Sequence, residues 1–417
     1  MNPYRPESTN YAGAQVDLIY FDAGGGHRAS ATALISAAQQ QHRSWDINLI
    51  NLRDLLEPAD MIRRITGVRI EDFYNSQLKH GLTIGTGPLL RITQMLIRRL
   101  EPMMIKLLAR HWELSQPDLV VSMIPNFNRA IFEGLQQADA AAGRFETPMV
   151  TILTDMADYP PHFWIERQKQ YLICGTATAA RQAIAMGHAP ARVLRTSGMI
   201  VRPEFYQPIE LSREAERSRL GLDPELPTGI VMFGSYGSSQ MASIARRIEA
   251  ARLKTQLIFI CGHNDKLREN IESMNPSYPF HCVGFTSEIP YFMKLADFFI
   301  GKPGPGSISE ALVMGLPLLV ERNAWTMVQE RFNTDWIERN QLGIVLPSFR
   351  QIASAVSTML DREQFLLLRA GVEARDNRAV FEVPEILEGL ISHHRSANLR
   401  FGNLAAAQFE SAMHHGN

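Results

Sequence analysis

Four short stretches of the chain carry residues whose types and spacing suit chemistry. In "DAGGGHRAS", from Asp22, the glycines Gly24, Gly25 and Gly26 stand directly before His27. Two readings are open there: the glycines cradle a ligand's phosphates, or they clear space so that the imidazole reaches a substrate. In "GSYGSSQMAS", from Gly234, Gly237 and Ser238 lie where an apolar run gives way to a helical pattern. Free amide hydrogens and the positive end of a helix dipole suit such a turn to phosphate or to a reacting oxygen, while Ser238 equally suits a plain N-cap. "KPGPGSISEAL", from Lys302, is more specific. Alternating prolines and glycines, Gly304 and Gly306 among them, exclude regular structure from Lys302 to Gly306, and Ser307 is expected to open a helix whose first-turn amides face a phosphate. Glu310, one turn on, places a carboxylate where ribose hydroxyls can donate to it, or completes a capping box with Ser307. Finally, Gln329 and Glu330 in "MVQERF" set an amide beside a carboxylate at a helix start, a pairing suited to hexose hydroxyls or to an ordinary solvated turn.

Such residues act together only if the elements bring them together. Apolar runs of strand length begin at Val16, Ile47, Asp118, Met149, Gln170 and Arg192, with helical patterns between most of them, and the rhythm restarts at Gly229, Gln256, Phe280, Asp297 and Leu316. Apolar strands alternating with helices imply mostly parallel sheets covered on both faces. The stretch from Met199 to Gly229 is proline-rich, has a charged helical piece and no strand, and reads as a linker. The expected fold is therefore α/β, with two Rossmann-like doubly wound domains facing each other across a cleft. Its expected divisions are 1–200, a linker over 201–228, a second domain over 229–375 and a helical segment over 376–417 that packs back toward the first domain. Each sheet should bind ligands outside the carboxyl ends of its strands, where all four stretches lie. Asp155, closing "MVTILTD", ends a strand of the first domain and is placed to orient His27, to meet a substrate or to cap a turn.

Bulk properties narrow the class. At 417 residues and 45% hydrophobic the chain can bury two cores, and 42 basic against 43 acidic residues remove the electrostatic case for a nucleic-acid binder. The cysteines Cys174, Cys261 and Cys282 lack metal-ligand spacing and point to a reducing compartment. The polar opening "MNPYRPESTN" lacks the apolar region of a signal peptide, and no apolar run reaches the about 20 residues of a membrane span. A cytoplasmic location is expected. One segment breaks the charge balance: residues 61–112 hold Arg63, Arg64, Arg69, Lys79, Arg91, Arg98, Arg99, Lys106 and Arg110 against Glu71, Asp72 and Glu101. Within "PLLRITQMLIRRLEPMMIKLLARHW" the cations Arg91, Arg98, Arg99, Lys106 and Arg110 share one side of a helical wheel. This is the pattern of a helix lying on an anionic membrane, or of a core helix with a solvated basic face. Pro102 is expected to split or bend it.

The order "GSYGS", "GFTSEIP", "KPGPGSISEAL" and "QE" resembles the donor half of GT-B glycosyltransferases, in particular the monogalactosyldiacylglycerol synthases and the related peptidoglycan lipid-intermediate N-acetylglucosaminyltransferase. "DAGGGHRASATAL" resembles that family's N-terminal signature and "VRPEF", from Val201, its interdomain segment. The resemblance implies an inverting enzyme, peripheral on the cytoplasmic face of the membrane. It would move galactose or glucose from a UDP-sugar to a diacylglycerol-like lipid, with no metal or other cofactor. It also implies residue roles: Val283, Phe285 and Thr286 at uracil, Gly304, Gly306 and Ser307 at the diphosphate, Glu310 at the ribose, Gln329 and Glu330 at the donor sugar. "ERNAWTMV" lacks the glycine that often precedes this last pair in plant-like members, which leaves both hexoses open. With the diphosphate placed at Ser307, the triple glycine becomes an acceptor-side loop and His27 a general base for the attacking hydroxyl. A polyprenol-linked or polysaccharide acceptor, or a UDP-sugar epimerase, would use the same architecture.

Overall fold

The computed structural model describes residues 13–21, 26–56, 86–210 and 212–414. Six parallel strands form the first sheet: β1 (Ala14–Tyr20), β2 (Trp45–Asn51), β3 (Leu119–Ser122), β4 (Met149–Ile152), β5 (Tyr171–Cys174) and β6 (Val193–Arg195), in the order β2-β1-β3-β4-β5-β6. Six more form the second: β7 (Thr228–Met232), β8 (Gln256–Ile260), β9 (Phe280–Val283), β10 (Phe298–Gly301), β11 (Leu318–Glu321) and β12 (Gly343–Leu346), in the order β12-β11-β10-β7-β8-β9. The sequence expectation had five strands here. It passed over "GIVL" at β12, a partly buried strand at the sheet edge, which pairs along β11 from Leu318↔Gly343 to Glu321↔Leu346.

The helices of the first half are α1 (Gly26–Gln40), α2 (Leu52–Leu56), α3 (Thr86–Ser115), α4 (Asn128–Ala142) and α5 (Ala177–Ala185). Those that follow are α6 (Arg213–Arg219), α7 (Ser239–Ala251), α8 (Asp265–Ser273), α9 (Ile289–Leu295), α10 (Pro305–Val313), α11 (Val328–Arg339), α12 (Ile352–Leu360), α13 (Arg362–Glu373) and α14 (Ala379–His414). Both sheets are packed on two sides because successive strand residues point to opposite faces. Val16 and Leu18 of β1 pack with Ala31 and Leu34 of α1, while Ile19 packs with Leu108 and Trp112 of α3. The second sheet does the same: Ile230 and Met232 of β7 meet Ile308 of α10, and Val231 meets Ile244 and Ile248 of α7. Val383, Leu387 and Ile391 of α14 are buried with Leu18 and Leu119, so the last helix returns to the first sheet.

Of the two forms expected at Pro102, split or bent, the split one is not found: α3 runs through Pro102 as one helix. Its apolar side is also not free. Ile97, Met104, Ile105, Leu108 and Trp112 are buried, and α4 comes so close that a side-chain carbon at Gly134 would lie 2.8 Å from Leu108 Cβ. Arg98, Arg99, Lys106 and Arg110 are exposed. From Ile97 onward this is a core helix with a solvated basic face, the second of the two sequence readings. Arg91 belongs to α3, but its side chain and residues 57–85, with Arg63, Arg64, Arg69 and Lys79, lie outside the described residues.

Strand order fixes where a ligand can sit. In the first sheet β1 is flanked by β2 and β3, so the crossovers reverse direction between β1 and β3; in the second they reverse between β7 and β10. Crevices open at the carboxyl ends of strands at such reversals. The chain leaving β1 leads to His27, the chain leaving β7 is "FGSYGSS", and the chain leaving β10 is "KPGPGS".

Candidate active site

His27 is the second residue of α1 and is half-buried. Its Nδ1 lies 3.1 Å from Thr154 Oγ1, and its ring centroid is 5.8 Å from that of the fully buried Trp164. Desolvation lowers its pKa to about 4, against an opposing hydrogen bond at the Met123 backbone, so the imidazole is neutral at physiological pH. Asp155 does not orient it. The Asp155 carboxylate instead accepts the Trp164 indole N–H at 2.8 Å, because the chain after β4 turns Thr154 rather than Asp155 toward α1. Burial raises the Asp155 pKa to about 6, with the indole opposing, and Glu330 and Lys302 of the other half also act on it electrostatically. Beside Trp164, the Asp158 carboxylate accepts the backbone N–H groups of Trp164 and His162, at 2.6 and 3.1 Å, which pins this loop. A small, open polar pocket adjoins it, lined by Gln94, Arg98, Glu101, Asn126, His162 and Glu166. Burial pushes Glu166 up to about 7.

On the second sheet, α10 begins at Pro305 with Gly304 as its N-cap, and no side chain caps it. The irregular stretch therefore ends at Gly304, two residues earlier than the glycine pattern suggested. Proline at the first helical position needs no N–H partner, and its fixed φ favours the helix. Ser307 is the third helical residue, and the capping box with Glu310 is not formed; Glu310 lies beyond the first turn. Burial raises Glu310 to about 7, with Arg202 of the interdomain segment the opposing charge. Glu330, 5% exposed on the first turn of α11, meets Lys302 Nζ at 3.6 Å through Oε1. A side-chain carbon at Gly304 would sit 3.5 Å from that same Oε1. Asn333 Nδ2 donates to Pro303 O at 2.8 Å, tying α11 to the turn. Gln329, beside Glu330, sends its amide to Met327 Sδ at 3.5 Å.

After β7, Ser238 caps α7 by accepting the Gln240 N–H, and Gly237 has φ +60 with Cys261 O only 2.8 Å from where its Cβ would be, so only glycine fits. After β9, Phe285 is 63% exposed and stacks on His263 with ring centroids 3.9 Å apart, while Thr286 Oγ1 accepts the Glu288 N–H. Tyr159 of the first half stacks against Phe332 of α11 at 6.3 Å. Among the described residues no group of three or more His, Cys, Asp or Glu could hold a metal ion.

Residues 230–322 match the glycosyltransferase family 28 C-terminal domain. The monogalactosyldiacylglycerol synthase of Spinacia oleracea chloroplasts is 28% identical over 413 residues, covering 94% of this chain and 74% of that protein. MurG from Acinetobacter baumannii has a TM-score of 0.58 at 12% identity, over 90% of this chain and 99% of that one. The protein is a GT-B glycosyltransferase related to the monogalactosyldiacylglycerol synthases. UDP-GlcNAc 2-epimerase from Neisseria meningitidis, solved with UDP-GlcNAc, shares this fold at a TM-score of 0.55 and 12% identity, over 91% of this chain and 100% of that one.

The glycosyltransferase gathers the expected donor-side residues at the carboxyl edge of its second sheet. Gly237 and Ser238 follow β7, Val283, Phe285 and Thr286 end or follow β9, Gly304, Gly306 and Ser307 follow β10, and Glu310, Gln329 and Glu330 lie on the next two helices. The family match stops at residue 322, before Gln329. On the acceptor side, Gly26 is exposed with open space where a Cβ would be, while Gly24 and Gly25 lie outside the described residues. Sequence reasoning missed four neighbours of the site: Thr154, Trp164, Arg202 and Lys302. Thr154 and Lys302 stood inside recognised motifs, "TD" and "KPGPGS", and a strand-ending position was the available signal. Trp164 and Arg202 enter through loop paths that no local pattern encodes.

Proposed function

We propose that this glycosyltransferase moves a hexose, galactose or glucose, from its UDP conjugate to the hydroxyl of a diacylglycerol-like lipid at the cytoplasmic face of a membrane, with inversion at the sugar. The observation that carries the reading is the pairing of two reversal points. A neutral, part-buried imidazole lies at one, and an uncapped helix N-terminus flanked by Glu310 and Glu330 lies at the other. The free amides of α10 at Gly306 and Ser307, with the turn at Gly304, would receive the diphosphate. Glu310 in its ionised form would accept the ribose hydroxyls, the backbone from Val283 to Thr286 would hold uracil, and Gln329 with Glu330 would hold the hexose. If His27 places its hydrogen on Nδ1 toward Thr154, Nε2 keeps a lone pair for the proton of the attacking hydroxyl. One base on the face opposite the leaving group gives a single displacement and hence inversion. No metal is assigned to the reaction.

The relation to monogalactosyldiacylglycerol synthases supports a lipid acceptor. Because the apolar side of α3 belongs to the core from Ile97 onward, its contribution to membrane attachment is chiefly electrostatic, through Arg98, Arg99, Lys106 and Arg110. No helix among the described residues is long and apolar enough to cross a membrane. The test is incubation of purified protein with a panel of labelled UDP-sugars and a total lipid extract. Label from one UDP-hexose should move into the organic phase. Label that instead appears in a different sugar nucleotide would replace this reading with epimerisation, and label on a long-chain prenol phosphate would move the acceptor to that class.

A further inference from the structure

The segment that follows β4 is fastened to both halves of the molecule. In the first half, Thr154 Oγ1 lies 3.1 Å from His27 Nδ1, and Asp155 accepts the Trp164 indole N–H. Thr176 Oγ1 donates to Met156 O, and the Asp158 N–H donates to Gln182 Oε1 of α5 at 2.9 Å. Toward the second half the same segment presents apolar side chains. Met156 is 2% exposed and shares one core with Val201 of the interdomain segment, Ile230 of β7 and Ile308 of α10. Phe332 of α11 packs against that core, and the Tyr159 ring stacks on Phe332 with centroids 6.3 Å and planes 21° apart. Phe332 follows Gln329 by three residues on α11, so the two share a face of that helix. Tyr159 follows Thr154 by five. The contact thus stands a short, packed path from the partner of His27 on one side and from the residues proposed for the hexose on the other. Asp155 and Glu330 lie within electrostatic range across the same join. Tyr159 is 39% exposed. A ring so open adds little to either core, and its contact with Phe332 is what it supplies.

We infer that Tyr159 is a positioning residue for the glycosyl transfer: stacked on Phe332, it sets the distance and angle between the His27 base and the hexose held on α11. The inference rests on the transferase reading proposed above. In that reaction the acceptor oxygen bonds to the anomeric carbon as the bond from that carbon to the β-phosphate oxygen breaks. The electron pair leaves with UDP, and the hydroxyl proton passes to His27. Base and anomeric carbon are carried by different sheets, so no single core fixes their separation. The segment after β4 supplies the missing constraint. Met156 anchors it in the core of the second half, and the Tyr159 stack adds a second point of contact, which stops the halves from turning about Met156. A misplacement of about 1 Å at reacting atoms can cost roughly 100-fold in rate, so a contact remote from the chemistry can control it. UDP, held by the second half, does not depend on this alignment.

The experiment compares wild type with Tyr159→Ala, Phe332→Ala, the double variant and Tyr159→Phe. Donors are UDP-galactose and UDP-glucose, the acceptor is dioleoylglycerol in anionic phospholipid vesicles, and the readout is UDP release. Tyr159→Ala should lower kcat by about 10- to 100-fold, the effect of a small misalignment, while lipid KM and calorimetric UDP affinity stay near wild type. Phe332→Ala should behave alike, and the double variant should be no slower than the slower single one, because a shared contact is lost only once. Tyr159→Phe keeps the ring and should keep most of the rate. A normal kcat in Tyr159→Ala overturns the proposal, as do losses that multiply in the double variant. A raised lipid KM with kcat intact also overturns it, making Tyr159 an acceptor contact instead. If the alanine variants melt early, Tyr159→Leu and Phe332→Leu keep apolar bulk without the ring faces and supply the same cycle. Wild type that releases no UDP from either donor would take the transferase reading down with the proposal. That failure shows in the wild-type control and so is distinct from a variant that matches an active wild type.

Discussion

Burial removes protons from His27 and adds them to Glu310, so the two residues respond to acid in opposite senses. The His27 pKa falls from 6.5 to about 4 on folding. The unfolded chain therefore binds a proton there first, and stability is lost as pH falls through that window. Glu310 rises from 4.5 to about 7, so its folded form holds a proton that the unfolded chain has released, and stability is lost as pH rises from 4.5 toward 7. Glu310→Gln should consequently flatten the stability profile between those values and gain relative to wild type at higher pH, read from denaturant midpoints. The same variant tests binding. If ribose hydroxyls donate to ionised Glu310, wild-type UDP affinity should decline as pH drops below about 7, and Glu310→Gln should bind more weakly with no such step; calorimetry across pH decides. His27→Ala should leave UDP affinity intact and lower turnover by roughly 100-fold or more, as expected for a lost general base. A normal rate would make His27 a structural residue. Thr154→Val, which removes the hydroxyl beside Nδ1, should lower kcat with little change in KM.

At the scale of elements, α3 and α10 show how a neighbour changes the meaning of a pattern. The wheel of α3 is amphipathic whether its apolar side meets lipid or protein, and α4 decides for protein because Gly134 permits close approach. What remains outward is a stripe of cations, each contributing about 1 kcal/mol near an anionic surface. Arg98→Glu, Arg99→Glu and Lys106→Glu together should release the protein from anionic vesicles in flotation assays, and added salt should weaken wild-type binding in the same way. UDP affinity should not change, since α3 packs on the first sheet. Flotation that survives both treatments would place membrane attachment elsewhere. In α10 the proline that forbids regular structure in a loop is also well suited to start a helix, which is why the start moves forward to Pro305 and leaves the first-turn amides uncapped.

Across the whole molecule, α14 links the two halves. The chain leaves the second sheet through α13, and α14 then packs Val383, Leu387 and Ile391 into the core of the first. Trp45 Nε1 donates to Glu388 and Arg395 pairs with Asp118 on the same surface. Leu387→Ala should cost about 2 to 5 kcal/mol, the usual range for truncating a fully buried leucine. Because α14 covers one half while its chain emerges from the other, the loss should appear in the unfolding of the first sheet without weakening UDP binding. A denaturant midpoint equal to wild type would show that α14 is dispensable to that core.

The sequence by itself determined what local chemistry encodes. Apolar runs of strand length separated by helical patterns dictated two parallel sheets, and glycine, proline and serine at strand ends located the turns where His27, Gly237, Gly304 and Glu310 stand. β12 escaped because its place as the partly buried edge strand beside β11 is set by pairing between separate segments and not by its own four residues. Only the tertiary structure decided which side chains meet. Thr154 and Asp155 are adjacent in sequence and point to different partners, His27 and Trp164. Lys302 and Glu330 are 28 residues apart and form one pair, because β10 ends and α11 begins at the same edge of the second sheet. The pKa values of His27, Asp155 and Glu310 likewise depend on solvent excluded by distant chain segments, a quantity set by packing and by no residue's own neighbours in sequence.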